Sequence, residues 1–171
     1  LESAQIPAPV PCSPQGDTLA DYLGGRRAPC LGAALEEHVN AVLSWNTDAW
    51  DPGVIASGPL SGVPILIKDN IETFELPTTA GSLALAHNDT ERDAPLVARL
   101  LAAGAIIIGK ANLSEWANIR SSGSSSGWSA VGGLTRNPHS LSHSACGASP
   151  ASAAAVAAGL APAAIGTETD G

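Results

Sequence analysis

Two short apolar runs, each ending abruptly in polar residues, dominate the hydrophobic pattern of this 171-residue chain. Residues 63–67 read Val-Pro-Ile-Leu-Ile and stop at Lys68-Asp69-Asn70. Residues 105–108 read Ala-Ile-Ile-Ile and stop at Gly109-Lys110. Runs of this length, rich in β-branched residues and without polar alternation, predict strands buried on both faces. Between them Leu96, Val97, Leu100 and Leu101 fall on one face of a helix predicted over 93–103, which Gly104 stops. A strand, a helix and a strand in that order build a parallel sheet.

The flanking pattern sets the organisation. Residues 1–16 carry Pro7, Pro9, Pro11 and Pro14 among small side chains and read as an extended arm. Asp17 can cap a short helix closed by Gly24-Gly25. Helical spacing of Leu31, Ala34, Leu35, His38, Val39 and Val42 predicts a second helix over 30–47. Residues 17–57 are thus expected to be a helical segment, and 58–171 the main domain. After a short helical turn near 113–118, residues 121–151 are rich in Gly and Ser, a composition that suits a surface loop. A helix of small residues over 152–159, a short strand over 163–166 and a turn over 167–171 complete the pattern.

Composition changes the picture in one respect and narrows it in others. Only 14% of residues are charged, against a usual ~25%, as expected where much of the chain is buried. The net charge is −8, and the eight Lys and Arg do not cluster. That argues against a nucleic-acid partner and an anionic membrane surface, both of which need a basic footprint. A neutral or cationic small substrate is compatible. No apolar run reaches the ~18 residues of a membrane span. The chain starts at Leu1, which fits a soluble, processed protein, secreted or periplasmic rather than cytoplasmic, and equally a fragment. Cys12, Cys30 and Cys146 form no CxxC pair. A disulfide between Cys12 and Cys30 and free thiols are both open. His139 and His143 lie four apart, but Pro138 disfavours a helical pair, so no metal is expected.

Chemistry is expected where buried strands end. Lys68 sits at such an end, where open α/β sheets place their ligand crevices. Burial lowers a lysine pKa towards a neutral amine that can act as a base. The structural alternative is a pair with Asp69. The Gly147-Ala148-Ser149-Pro150-Ala151-Ser152 run precedes a predicted helix and can present N–H groups to an oxyanion, or merely cap the helix through Ser149 or Ser152. The 167–171 turn can present further N–H groups.

Four segments, in order, resemble the amidase-signature family: Gly62 to Asn70, Gly104 to Asn112 with Glu115-Trp116-Ala117, Ser152 to Gly159, and Gly166 to Gly171. The resemblance covers roughly residues 58–171. Within it, 114–118 and 127–129 look most like bacterial peptide amidases. It implies an α/β/α fold with a mixed central sheet, incomplete in this chain, and a Ser–Ser–Lys mechanism without metal or organic cofactor. A neutral Lys takes a proton from a bridging Ser in a cis peptide bond, and that Ser takes one from the nucleophile. By this match Lys68 is the base, and Thr169, Asp170 and Gly171 give the oxyanion-hole backbone. The bridging position is Ala148, which has no hydroxyl. Ser149 is a doubtful substitute, because Pro150 restricts its backbone. The nucleophile is expected immediately after Gly171. The isolated chain is thus expected to be inactive, either as part of a longer or two-chain amidase or as an inactive binding or scaffold relative.

Overall fold

In the computed structural model, which describes residues 32–50 and 57–169, the two apolar runs become the centre of a four-stranded sheet. The first is β2 (Pro64–Lys68), with every residue buried. The second is β3 (Ile106–Ala111), buried after its first residue. They pair in parallel, with Pro64 opposite Ile106 and Lys68 opposite Ala111. Two further strands flank them. β1 (Val42–Trp45) pairs antiparallel with β3, and β8 (Ala163–Ile165) pairs in parallel with β2. The order is β1-β3-β2-β8, a mixed sheet.

Helices cover both faces. On one side α2 (Pro95–Ala102) packs Val97, fully buried, with Leu96 and Leu100 against Ile65, Ile67, Ile71 and Ile107. Its C-terminus closes as expected at Gly104, with φ +92°. The Ala105 amide donates to the Leu100 carbonyl at 3.0 Å and the Gly104 amide to Leu101 at 2.9 Å, the paired bonds of a Schellman cap. On the other side α3 (Pro150–Ala157) presents Ala151, Ala154 and Ala155 to Leu66 and Ile108, joined by Val39 of α1 (Gly32–Val39). Methyl side chains let the α3 backbone lie close to the sheet. This is the expected α/β/α arrangement.

The helix predicted over 30–47 is much shorter. It ends at Val39, and Val42–Trp45 is a sheet strand instead. Asn40 turns the chain in the left-handed region at φ +55°, a conformation asparagine tolerates. Its side chain then donates to the Gly132 carbonyl at 2.6 Å, and Glu36 Oε1 accepts from the Val42 amide at 2.6 Å. Tertiary partners at both sides of the break outweigh the helical spacing of Val42.

The Gly/Ser-rich stretch is more ordered than its composition suggests. It contains two small antiparallel ribbons. In one, β4 (Trp128–Ser129) pairs with β5 (Gly133–Leu134). In the other, β6 (Arg136–Asn137) pairs with β7 (Ser140–Ser144). The turn near 113–118 is a 3-10 segment, Glu115–Asn118, whose Trp116, Ala117 and Asn118 all have positive φ. The expected arm over 1–16, the helix over 17–23, Cys12 and Cys30 lie outside the described residues. No helix of the described residues is long and apolar enough to cross a membrane.

Candidate active site at the end of strand β2

Lys68 is the last residue of β2 and is fully buried. Its ammonium has two side-chain partners: Nζ lies 2.8 Å from Ser149 Oγ and 2.7 Å from Thr167 Oγ1. Both are neutral hydroxyls, so nothing offsets the lost hydration with opposite charge, and burial pushes the pKa from 10.5 down to about 8. The alternative pairing with Asp69 does not form. Strand alternation turns Asp69 to the opposite face of the sheet, where its carboxylate meets Lys110 at 3.3 Å.

Ser149 reaches Lys68 from the residue before α3. Pro150 occupies the first helical position, and Ser149 precedes it at φ −116°, ψ +45°. That is outside the helical region that a following proline disfavours. The restriction expected from Pro150 is therefore compatible with the Lys68 contact. Ser149 makes no side-chain cap bond to α3. Its hydroxyl instead accepts from the Thr167 amide and faces the Thr167 carbonyl, both at 3.0 Å. Ser152 does not cap α3 either, since its hydroxyl donates to the Ile165 carbonyl at 3.0 Å. The reading of either serine as an ordinary cap is thus corrected: both hydroxyls tie α3 to the β8 strand and its exit.

Ala148 is buried and offers Lys68 no polar group. The peptide bonds of the described residues are all trans. Thr169 is exposed at the end of the β8 exit, and Asp170 and Gly171 lie outside the described residues. His139 and His143 stand on the exposed β6–β7 ribbon, where His143 Nδ1 lies 2.7 Å from Ser140 Oγ. Among the described residues no three His, Cys, Asp or Glu side chains come together as a metal site. Cys146 is a free, exposed thiol.

Sequence reasoning missed the side chain of Thr167, which it treated as a source of backbone N–H groups. Thr167 Oγ1 accepts from both Lys68 and Asn70, the latter at 3.3 Å. The parallel register that sets Ile67 opposite Ile165 brings the exits of β2 and β8 together, and only pairing supplies that register. It also missed Gly166. A Cβ there would lie 2.9 Å from both Ser149 Cβ and Oγ, so the absence of a side chain is what admits Ser149 to the site.

Chemically, the cluster pairs an amine near neutrality with a hydroxyl in contact. As an ammonium, Lys68 donates to Ser149 and Thr167. As a neutral amine it has a lone pair to accept the Ser149 proton.

Known proteins resemble this chain in sequence and fold. A family model described as Amidase matches residues 32–171. The native peptide amidase from Stenotrophomonas maltophilia superposes with a TM-score of 0.71 and 45% identity, over 87% of this chain and 34% of that one. A peptide amidase in complex with the competitive inhibitor chymostatin gives a TM-score of 0.74 at 45% identity, over 89% and 35%. Among curated proteins, a probable amidase of Arabidopsis thaliana is 51% identical over 113 residues, 66% of this chain and 22% of its own length. A glutamyl-tRNA(Gln) amidotransferase subunit from Symbiobacterium thermophilum is 54% identical over 114 residues, 67% of this chain and 22% of its own. The matches thus span under a quarter of these two relatives. With the family model spanning residues 32–171, and so the whole sheet and Lys68, and with relatives around half identical over about two thirds of the chain, this chain belongs to the amidase family.

Proposed function

We propose that this chain carries the base and proton-relay half of a hydrolase of linear carboxamides, with peptide amides as the first substrates to try. The observation that carries the reading is the contact of a buried, near-neutral Lys68 with the Ser149 hydroxyl. In this reading Ser149, not position 148, is the bridging residue. Neutral Lys68 accepts the Ser149 proton as Ser149 accepts that of a nucleophilic Ser expected directly after Gly171. The nucleophile's oxygen bonds to the amide carbon, and N–H groups of Thr169, Asp170 and Gly171 receive the oxyanion. The proton held by Lys68 returns through Ser149 to the leaving nitrogen, so ammonia or an amine departs and an acyl-enzyme remains. Water then attacks the acyl carbon, giving its proton to the same relay; the bond from that carbon to the nucleophile's oxygen breaks, the relay returns the proton to that oxygen, and the carboxylic acid leaves. No metal or organic cofactor takes part in these steps. A second chain that supplies the remainder of the fold is compatible with this scheme.

The test is ammonia release from a peptide amide by the chain extended past Gly171 to its full natural length. Lys68→Ala is expected to abolish turnover. Ser149→Ala is expected to cost about 10²–10⁴-fold in kcat, the usual worth of a proton-transfer group, and Ala148→Ser to change the rate only a few-fold. If Ser149→Ala is harmless and Ala148→Ser raises the rate by orders of magnitude, the relay belongs at 148 and this assignment fails. A second reading, an inactive amidase-fold binding or scaffold protein, is favoured by one observation, the missing hydroxyl at Ala148. It prevails if the extended wild type releases no ammonia from any peptide amide yet binds one.

A further inference from the structure

The most heavily partnered side chain near the site is one the mechanism does not use. Lys110 of β3 is fully buried. Its Nζ donates to the carbonyls of Ile71 at 2.9 Å and Pro77 at 3.2 Å, and to the hydroxyls of Thr78 at 2.9 Å and Thr73 at 3.3 Å. Asp69 Oδ1 completes the shell at 3.3 Å. Four of the five partners come from residues 71–78, so this loop is wrapped around one ammonium.

The wrapping bears directly on the candidate site. Asp69 lies between Lys68 and Asn70 and is held by five contacts. Its amide donates to the Ala111 carbonyl at 3.0 Å, and its carbonyl accepts from the Ala80 amide at 2.9 Å. Its carboxylate accepts from the Thr79 amide at 3.2 Å and from the Thr79 hydroxyl, in addition to Lys110. Asp69 and Asn70 are the central residues of a turn in which the Ile71 amide donates to the Lys68 carbonyl at 3.0 Å, so clamping Asp69 fixes the turn that carries its two neighbours. Lys68 and Asn70 both donate to Thr167 Oγ1. The clamp also keeps the nearest carboxylate in the chain engaged on the far side of the sheet, away from the Lys68 amine.

We infer that Lys110 is a positioning residue for the amidase reaction: its ammonium is the internal cation around which residues 69–80 close, and that closure holds Lys68 and Asn70 on Thr167. The inference rests on the proposed amidase function for its kinetic consequence, but the closure itself is independent of activity.

The experiment uses the chain at its full natural length and two readouts. Lys110→Ala leaves a void the length of a lysine stem lined by carbonyls, hydroxyls and a carboxylate, which n-propylammonium can enter. Kinetics on a peptide amide and backbone hydrogen exchange over residues 69–82 are compared with and without that amine. Wild type treated identically gives the background of acyl transfer to the amine. The expected result is a kcat loss of roughly 10–100-fold, the scale of a small misplacement of reacting groups, with KM little changed. Exchange at Thr79 and Ala80 rises, and propylammonium reverses both effects. Thr78→Val, which removes one acceptor and keeps the side-chain shape, is the second variant if Lys110→Ala does not fold. It is expected to move kcat and exchange in the same direction by less. Faster exchange with an unchanged kcat would make Lys110 a structural residue only and overturn the inference, as would unchanged exchange. If wild type itself shows no turnover, the amidase reading fails, while the exchange result still decides whether Lys110 closes the loop.

Discussion

A buried lysine whose partners are hydroxyls is stabilised as the neutral amine, and this has a measurable sign. The folded pKa of Lys68, about 8, lies below its ordinary 10.5. Between those values the unfolded chain binds a proton that the folded chain does not. Stability therefore rises with pH across that window. Urea unfolding from about pH 8 to 10.5 is expected to show this rise in the wild type and to lose it in Lys68→Met. On the proposed mechanism the same group would be the base, so kcat/KM of the chain extended past Gly171 is expected to climb through about pH 8 as the base form appears. Gly166 gives a second residue-scale expectation. Gly166→Ala pushes a methyl against Ser149. It should cut turnover by about tenfold or more through misplacement of that hydroxyl, with a smaller loss of stability. An unchanged kcat in Gly166→Ala would show that Ser149 need not sit where it does.

At the scale of elements, the sheet holds together through a defect in β3. Leu66 pairs with Gly109 although Ile65 pairs with Ile107, so Ile108 is the extra residue of a bulge. Gly109 also faces β1 so closely that a Cβ would lie 2.5 Å from the Ser44 carbonyl. Gly109→Ala is expected to cost about 1–3 kcal/mol by overpacking, read as a lower thermal midpoint. The bulge has a consequence for the site. It sets the register in which Ile67 faces Lys110 and Lys68 faces Ala111, and so places the two lysines on opposite faces. Removing the Lys110 charge alone by Lys110→Met leaves Asp69 buried and unpaired, at a cost of about 3–5 kcal/mol. Adding Asp69→Asn is expected to recover much of that. A double variant as unstable as the single one would show that the loss comes from packing rather than from the stranded carboxylate.

For the whole molecule, the sheet order leaves β8 paired on one side only among the described residues, by β2. An unpaired edge is a template for another strand. Phe74, 62% exposed, and Leu101, 38% exposed, line a cleft of about 140 Å³ on the α2 face together with Ile107 and Leu76. The 171-residue chain by itself is therefore expected to self-associate with rising concentration in sedimentation velocity. A monomer at every concentration would show that the edge is satisfied within this chain. Much of the architecture was legible beforehand because its signals are local. The β2 and β3 runs, the Gly104 stop and the small-residue face of α3 each announce themselves within a few residues. The β1 strand was hidden, because Val42 continues a helical spacing and only the contacts of Asn40 and Glu36 break it. The β4–β7 ribbons were hidden because Gly and Ser carry little periodic signal, and their order depends on buried partners such as Asn112, whose side chain donates to Thr135 Oγ1 at 3.0 Å and to the Gly133 carbonyl at 3.1 Å.

The linear order of residues is enough to show that Lys68 ends a buried strand, that a small-residue helix follows a Ser-containing run, and that both belong to an amidase-type pattern. Those properties reside in hydrophobic runs and motif order, which need no knowledge of what lies across the fold. Which hydroxyl meets the lysine was decided only in three dimensions. Position 148 carries the motif's register but no oxygen, while Ser149 gains its contact from the α3 start at Pro150 and the space left by Gly166. The partners of Lys110 were likewise decided there, since its five acceptors lie 32 to 41 positions upstream and meet only when the 69–80 loop closes. A proton relay depends on distances of a few tenths of an ångström between residues far apart in the chain, and only packing fixes those.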